Sequence, residues 1–275
     1  MKNILIPTDF SKNSEFAVDF GAEIAHAMKA SVTLLHAYNI PVLVDEVVIE
    51  TTTIQNWDKE NKELLRNMAR KLKNKHGDLE IHIDSVLGLA EDIILGEANA
   101  EETDLTVIGS KGEGNAGDAI FGNVTTDIIR RAKKPVLIIR PDVAFKPLKK
   151  IVLACHDDNM VSANVIHVIT ELVNAFHAKL YILSIIREPV EPVSEAYTEA
   201  NKIKSHFENL DPAVHVMKDE KIVHGINEFA REYEADLVIM LPGKHNLFER
   251  MFTEIHTAHM VKDSVKPLLV IPQGN

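Results

Sequence analysis

Four short apolar runs occur twice in this chain, in the same order, and that repetition limits the folds open to it more than any other feature. Asn3-Ile-Leu-Ile-Pro7 has its counterpart in Lys150-Ile-Val-Leu-Ala154, and Ser31-Val-Thr-Leu-Leu-His-Ala-Tyr38 in Lys179-Leu-Tyr-Ile-Leu-Ser-Ile-Ile186. Asp104-Leu-Thr-Val-Ile108 is matched by Asp236-Leu-Val-Ile-Met240, and Lys134-Pro-Val-Leu-Ile-Ile-Arg140 by Lys266-Pro-Leu-Leu-Val-Ile-Pro272. Short runs with apolar centres like these are what the strands of a parallel sheet covered on both faces require. Between them lie segments of helical period, such as Phe16, Ala17, Phe20, Ile24 and Ala27. Strands alternating with helices predict an α/β fold with helices on both faces of the sheet. The duplication predicts two of them in tandem, each an open, mostly parallel, five-stranded, Rossmann-like sheet. A proline-bounded linker at 141–147 separates domains expected at 1–143 and 148–275.

The remaining elements of the first half are less sharply written. Residues 79–87 alternate well enough for a strand, and 90–100 for a helix. A helix is expected over about 58–76, its start marked by Asp58. Ahead of it, residues 41–57 carry Val42, Leu43, Val44, Val47, Val48, Ile49, Ile54 and Trp57 with few turn signals. This stretch reads as a loop and helix start packed on the domain, with a lid or contact surface as the alternative.

Composition excludes several classes of function. The 275 residues are 45% hydrophobic, enough for packed cores, and the net charge is −11 without a basic stripe. Nucleic acid is therefore not expected as a partner. No run approaches eighteen apolar residues, and the N-terminus enters a strand at once, so neither a spanning helix nor a secretory leader is expected. Cys155 is the single cysteine, which excludes an internal disulfide and fits a reducing, cytoplasmic setting. It sits at a strand end, where a packed small side chain is the expectation.

The richest chemistry lies between Asp104 and Arg140. A buried strand runs into Gly109-Ser-Lys-Gly112, then Gly114 and Gly117, then Gly122-Asn123 and an amphipathic helix. Glycines after a strand let peptide N–H groups turn toward an anion, and a following helix N-terminus adds its partial positive charge. The Walker spacing is absent. The dinucleotide spacing occurs literally at Gly112, Gly114 and Gly117, with Asp142 nearby. It follows the fourth strand rather than the first, however, and the helix begins later. A third spacing, Gly109-x-x-Gly112, nine residues, Gly122-Asn123, resembles the nucleotide loop of the universal stress protein family, with Asn123 standing where that family has Ser or Thr. Asn can still donate to a phosphate oxygen through its amide. The flanks resemble the family as well, as does Ile6-Pro-Thr-Asp-Phe-Ser11 after the first strand.

That resemblance implies an adenine nucleotide bound in the first domain: ATP, alone or with Mg2+, with ADP and AMP as alternatives. It implies that Pro7, Thr8 and Asp9 face the nucleoside, Asp9 holding the ribose, and that Ala37 and Ile108 lie at the base. The phosphates fall to the peptide N–H groups of Gly109 to Gly112 and of Gly122, Asn123 and Val124, with Thr125 in the same turn; Lys111 either neutralises phosphate charge or points to solvent. It also implies pairing of the two domains as a pseudo-dimer through their last strands, with a homodimer as a further option. Read from the residues alone, Asp9 or Ser11 also serves simply to cap the next helix, and His36 to pack a strand end.

In the second half the site is expected to be lost. Asp9 corresponds to His156, and the loop after Met240 keeps only Gly243, with Lys244 and His245 beside it. His256 and His259 stand three apart on an expected helix, but no cysteine pair supports a zinc site, and no metal is expected. No catalytic set is evident, Asp9 and Asp118 being the acids nearest the loop. The reading is a nucleotide-binding stress-response protein. Its alternatives are a slow ATPase, an NAD-linked oxidoreductase and a non-binding assembly protein.

Overall fold

A computed structural model describes residues 1–39, 51–111, 122–141, 143–155, 157–186, 192–241 and 266–272. The chain divides into two compact units, Met1–Phe145 and Lys146–Asn275.

The first unit runs β1 (Asn3–Pro7), α1 (Lys12–Met28), β2 (Ser31–Tyr38), α2 (Thr51–Lys75), β3 (Ile81–Leu87), α3 (Ala90–Asn99), β4 (Leu105–Gly109), α4 (Asn123–Arg131) and β5 (Val136–Ile139). Its strands are parallel, in the order β3-β2-β1-β4-β5. Ile4, Leu5 and Ile6 of β1 and Leu105 and Val107 of β4 are at most 1% exposed, which is why these strands show no polar alternation. β3 does alternate, with half-buried Ile81 and Ile83 between exposed His82 and Asp84, because it closes one edge of the sheet.

α1 begins where Ser11 accepts a hydrogen bond from the Ser14 amide at 3.2 Å. It lies close against the sheet at Gly21, where a β-carbon would stand 2.5 Å from Ile6 Cδ1 and 3.3 Å from Val107 Cβ. It ends at Lys29 in the left-handed conformation, whose amide reaches back to the His26 carbonyl. α2 starts at Thr51, not near Asp58 as its sequence suggests. Asp58 is a mid-helix residue whose carboxylate takes the Lys62 ammonium one turn on, at 2.7 Å. Residues 51–57 are thus the packed helix start of the 41–57 stretch, with Ile54 and Trp57 half-buried on the face that carries buried Leu65 and Leu72. The apolar residues Val42 to Ile49 lie outside the described part. Lys134 fastens the end of α3: its ammonium donates to the carbonyls of Ala100, Glu101 and Thr103 at 2.5, 2.9 and 2.7 Å.

The second unit repeats the plan with β6 (Lys150–Ala154), α5 (Ala163–Phe176), β7 (Lys179–Ile186), α6 (Val193–Ser205), β8 (Ala213–Lys218), α7 (Ile222–Glu232), β9 (Leu237–Met240) and β10 (Leu268–Val270). Its strands are again parallel, ordered β10-β9-β6-β7-β8. The repetition extends to single hydrogen bonds. Asp104 Oδ2 accepts from the amides of Lys2 and Asn3 at 2.5 and 3.0 Å; Asp236 Oδ2 accepts from those of Lys149 and Lys150 at 2.7 and 2.9 Å. The Thr8 amide donates to the Leu35 carbonyl at 2.8 Å, and the Cys155 amide to that of Leu183 at 3.0 Å. Ser162 caps α5 as Ser11 caps α1, and His177 ends it in the left-handed conformation of Lys29.

Candidate functional site

In the first unit the chain moves from β1 to β2 on one side and, after β3, crosses to β4 on the other. The carboxyl ends of β1 and β4 therefore part in a crevice, the place where open α/β sheets receive ligands. A cleft of ≈ 410 Å³ opens there. β1 brings Pro7, Thr8 and Asp9 to it, β2 brings Ala37, and β4 brings Ile108, Gly109 and Lys111. The first turn of α4 brings Gly122, Asn123, Val124 and Thr125. Of the residues expected at the site, Gly112 lies outside the described part, as do Gly114, Gly117, Asp118 and Asp142.

Three lining residues escaped the sequence reading: Ser14 of α1, and Ala90 and Ile94 of α3. Ser14 stands one turn into a helix and reads as helix start. Ala90 and Ile94, four apart, read as ordinary helix-face residues. With Ala37 and Ile108 they give the cleft an apolar wall.

The turn after β1 is densely bonded. Thr8 is 6% exposed, and its Oγ1 lies 3.0 Å from Ser14 Oγ. Asp9 is exposed at the cleft, and its Oδ1 accepts from the Ser11 amide at 3.1 Å and the Ser11 hydroxyl at 2.6 Å. Ser11 in turn caps α1, so Asp9 both supports the helix start and faces the cleft. His36 Nδ1 sits 2.8 Å from the Thr8 carbonyl. A carbonyl only accepts, so Nδ1 carries the proton.

On the glycine-loop side of the cleft, two amides are already bonded within the domain. The Ser110 amide donates to the Ile139 carbonyl and the Gly122 amide to the Ser110 carbonyl, both at 2.7 Å. The Thr125 hydroxyl donates to the Gly109 carbonyl at 2.8 Å. These groups hold the loop to the sheet. What opens onto the cleft is the start of α4. Gly122 occupies its N-cap with φ −70° and ψ 164°, no side chain caps it, and no acid lies in its first turn. The amides of Asn123, Val124 and Thr125 have no acceptor within the helix, and the helix dipole places partial positive charge there. Gly109 has a separate reason to be glycine: a β-carbon there would meet the Asn13 carbonyl oxygen at 3.3 Å.

The family model described as universal stress protein family matches residues 1–140 and again 149–272. The chain belongs to the universal stress protein family. Within the family, a universal stress protein of Methanocaldococcus jannaschii is 26% identical over 159 residues, covering 50% of this chain and 94% of that protein. One from Mycobacterium tuberculosis is 25% identical over 146 residues, 52% of this chain and 50% of the relative. The crystal structure of a universal stress protein from Archaeoglobus fulgidus covers 99% of this chain and is covered to 97%, with TM-score 0.75 at 18% identity, a likeness of fold. This is thus a tandem universal stress protein, two family domains in one chain.

The second family domain has different residues where the first has its cleft. Cys155 takes the place of Thr8; it is 5% exposed, and its Sγ lies 3.3 Å from the Asp157 carbonyl. His156, Gly243, Lys244, His245, His256 and His259 lie outside the described residues. Among the described residues no group of three His, Cys, Asp or Glu side chains is placed to hold a metal, and no helix is long and apolar enough to cross a membrane.

Proposed function

We propose that the first domain binds one adenine nucleotide, ATP in the first instance, and that the protein acts in the cytoplasm as a nucleotide-responsive stress protein. The uncapped start of α4, opening onto a cleft with the Asp9 carboxylate on its other side, carries this reading. Its amides suit an anion, with Lys111 beside them. The wall of Ala37, Ala90, Ile94 and Ile108 suits a flat heterocycle, and a carboxylate accepts hydrogen bonds from ribose hydroxyls. The glycine spacing supports it from the sequence side, because the family branch that this motif resembles binds ATP.

The reading is of binding rather than turnover. Phosphoryl transfer needs groups that organise a metal and position a nucleophile, and the described lining residues include Asp9 and Lys111 as their titratable members. With Cys155 and Ser184 standing where the first domain has Thr8 and His36, one nucleotide per chain is expected.

Calorimetry of the whole protein and of Gly122→Asp, with ATP, AMP and NAD, tests this. The backbone at Gly122 suits any residue, and Asp is itself a good N-cap, so the variant is expected to fold. It places a carboxylate where the phosphates would lie. Saturable binding of one ATP per chain is expected, weakened about tenfold or more in Gly122→Asp by charge repulsion at the helix start. Absence of ATP binding by the folded wild type would overturn the nucleotide reading and favour the assembly protein. Preference for NAD over ATP would favour the oxidoreductase.

A further inference from the structure

Phe10 adopts φ 62°, a left-handed conformation that bulky residues seldom take. Its neighbours hold it there. The Phe10 amide donates to Thr8 Oγ1 at 3.1 Å. Its ring packs on His36, centroids 4.4 Å apart and planes tilted by 37°. His36 in turn donates to the Thr8 carbonyl at 2.8 Å and stacks on Tyr38 at 6.2 Å with an interplanar angle of 5°. Thr8 is therefore held through both its carbonyl and its hydroxyl, and Phe10 through its amide and its ring. Asp9 is the residue between them.

The second domain supplies an internal control. There the strand that corresponds to β1 makes the same backbone bond, from Cys155 to Leu183 in place of Thr8 to Leu35. The position of Phe10 is taken by Asp157 in an ordinary extended conformation, φ −132° and ψ 118°, leading into a 3₁₀ turn at Asp158–Met160. The position of His36 is taken by Ser184. Its hydroxyl is buried, the residue being 1% exposed, and has no hydrogen-bond partner among the described residues. The fold therefore does not itself demand a left-handed residue after this strand. The left-handed turn packed on a histidine occurs in the first domain, beside the cleft described there; in the second domain Asp157 Oδ1 accepts instead from the Asn159 backbone amide at 2.9 Å and its side-chain amide at 2.8 Å.

We propose that Phe10 and His36 are positioning residues: together they latch the turn so that the Asp9 carboxylate is presented, pre-organised, to the ribose hydroxyls of a bound nucleotide. This rests on the nucleotide reading above. Backbone strain held by surrounding contacts is a recurrent way of presenting a ligating group, and pre-organisation lowers the ordering cost of binding.

The test compares wild type with His36→Ser, which installs the second domain's residue, and with Phe10→Gly, which keeps the left-handed turn accessible but removes the ring. Each is titrated calorimetrically with ATP and with 2′,3′-dideoxy-ATP, which lacks both ribose hydroxyls. The wild type is expected to prefer ATP by about tenfold, the value of one good hydrogen bond. Both variants are expected to bind ATP only as well as dideoxy-ATP, whose own affinity stays at the wild-type level. Amide exchange at Asp9 and Ser11 in the unliganded protein is expected to quicken about tenfold in His36→Ser. Equal weakening of both ligands would mean that the turn merely supports the fold, and would overturn the proposal. So would a retained preference for ATP in the variants, or none in the wild type. If the wild type binds neither ligand, the nucleotide reading falls and the ribose role with it. Unchanged exchange in His36→Ser rejects the latch independently of any ligand.

Discussion

Single residues in this protein carry roles that their identity alone does not announce. His76 is an example. It is 6% exposed, at the end of α2 and against α1, with its ring 4.9 Å from that of His26. Burial pushes its pKa below the ordinary histidine value; Glu23 and Asp78 oppose the shift, while His26 and Lys75 add to it. Its Nε2 lies 3.7 Å from Glu23 Oε1, whose ammonium partner is Lys75 at 2.7 Å. The sign of the pH effect follows. As pH falls below about 6.5 the unfolded chain takes up this proton first, so folding stability declines until pH passes below the folded pKa. His76→Gln removes that contribution. The fall in melting temperature between pH 7 and pH 5 is expected to be smaller in the variant than in the wild type. An equal fall would show that His76 does not titrate between the two states as its burial implies. Nothing in the sequence marks this residue. It follows a helix rich in lysine, and only the packing of α1 against it takes it out of water.

At the scale of elements, the strands are the most legible part. β1, β4 and β5 are buried on both faces and read as apolar runs with abrupt ends, whereas β2, with Ser31, Thr33 and His36, is buried mainly at Val32, Leu34 and Leu35. β3 reads as an alternating strand because it forms an edge. Helices are legible where a cap is written, as with Ser11 and Ser162, and misread where a capping residue type sits mid-helix, as with Asp58. The closeness of α1 to the sheet rests on Gly21 facing Ile6 and Val107. Gly21→Val has to displace the Ile6 side chain and is expected to cost about 1–3 kcal/mol, as overpacking of a close-packed core does. The denaturant midpoint checks this, and an unchanged midpoint would show that the contact relaxes freely. α4 is the element on which the proposed function turns. Its sequence announces a helix after glycine, but the bonds from Ser110 and Gly122 back to the sheet decide which of its amides remain for a ligand.

For the molecule as a whole, duplication sets the expectation. The two domains share strand order, carboxylates in Asp104 and Asp236 at the start of matching strands, and helix-end geometry, yet differ at three described positions of the turn beside the cleft: Thr8 against Cys155, Phe10 against Asp157, His36 against Ser184. Ligand protection is therefore expected to be unequal. With ATP at a hundred times its Kd, opening of the first domain is expected to cost about 2.7 kcal/mol more, by mass action. Hydrogen exchange would show slowed amides in Leu105–Gly109 and Asn123–Arg131. The corresponding segment Leu237–Met240 is expected to show no direct protection. Equal protection at both would indicate a second bound nucleotide and contradict the one-site reading.

By itself the sequence determined the tandem α/β plan and the four strands common to both halves, because apolar runs, helical period and glycine after a strand are local signals. The resemblance of its glycine spacing and of Ile6–Ser11 to the universal stress protein family pointed to Pro7, Thr8, Asp9, Ala37, Ile108, Gly109, Lys111 and Gly122 to Thr125, and these line one cleft. The tertiary structure alone decided that Ser14, Ala90 and Ile94 wall the cleft, that the amides of Ser110 and Gly122 are already spent, and that Phe10 is held left-handed between Thr8 and His36. Those outcomes are hydrogen bonds and contacts between residues distant in the chain. Which donor finds which acceptor is settled only when the strands and helices are packed together.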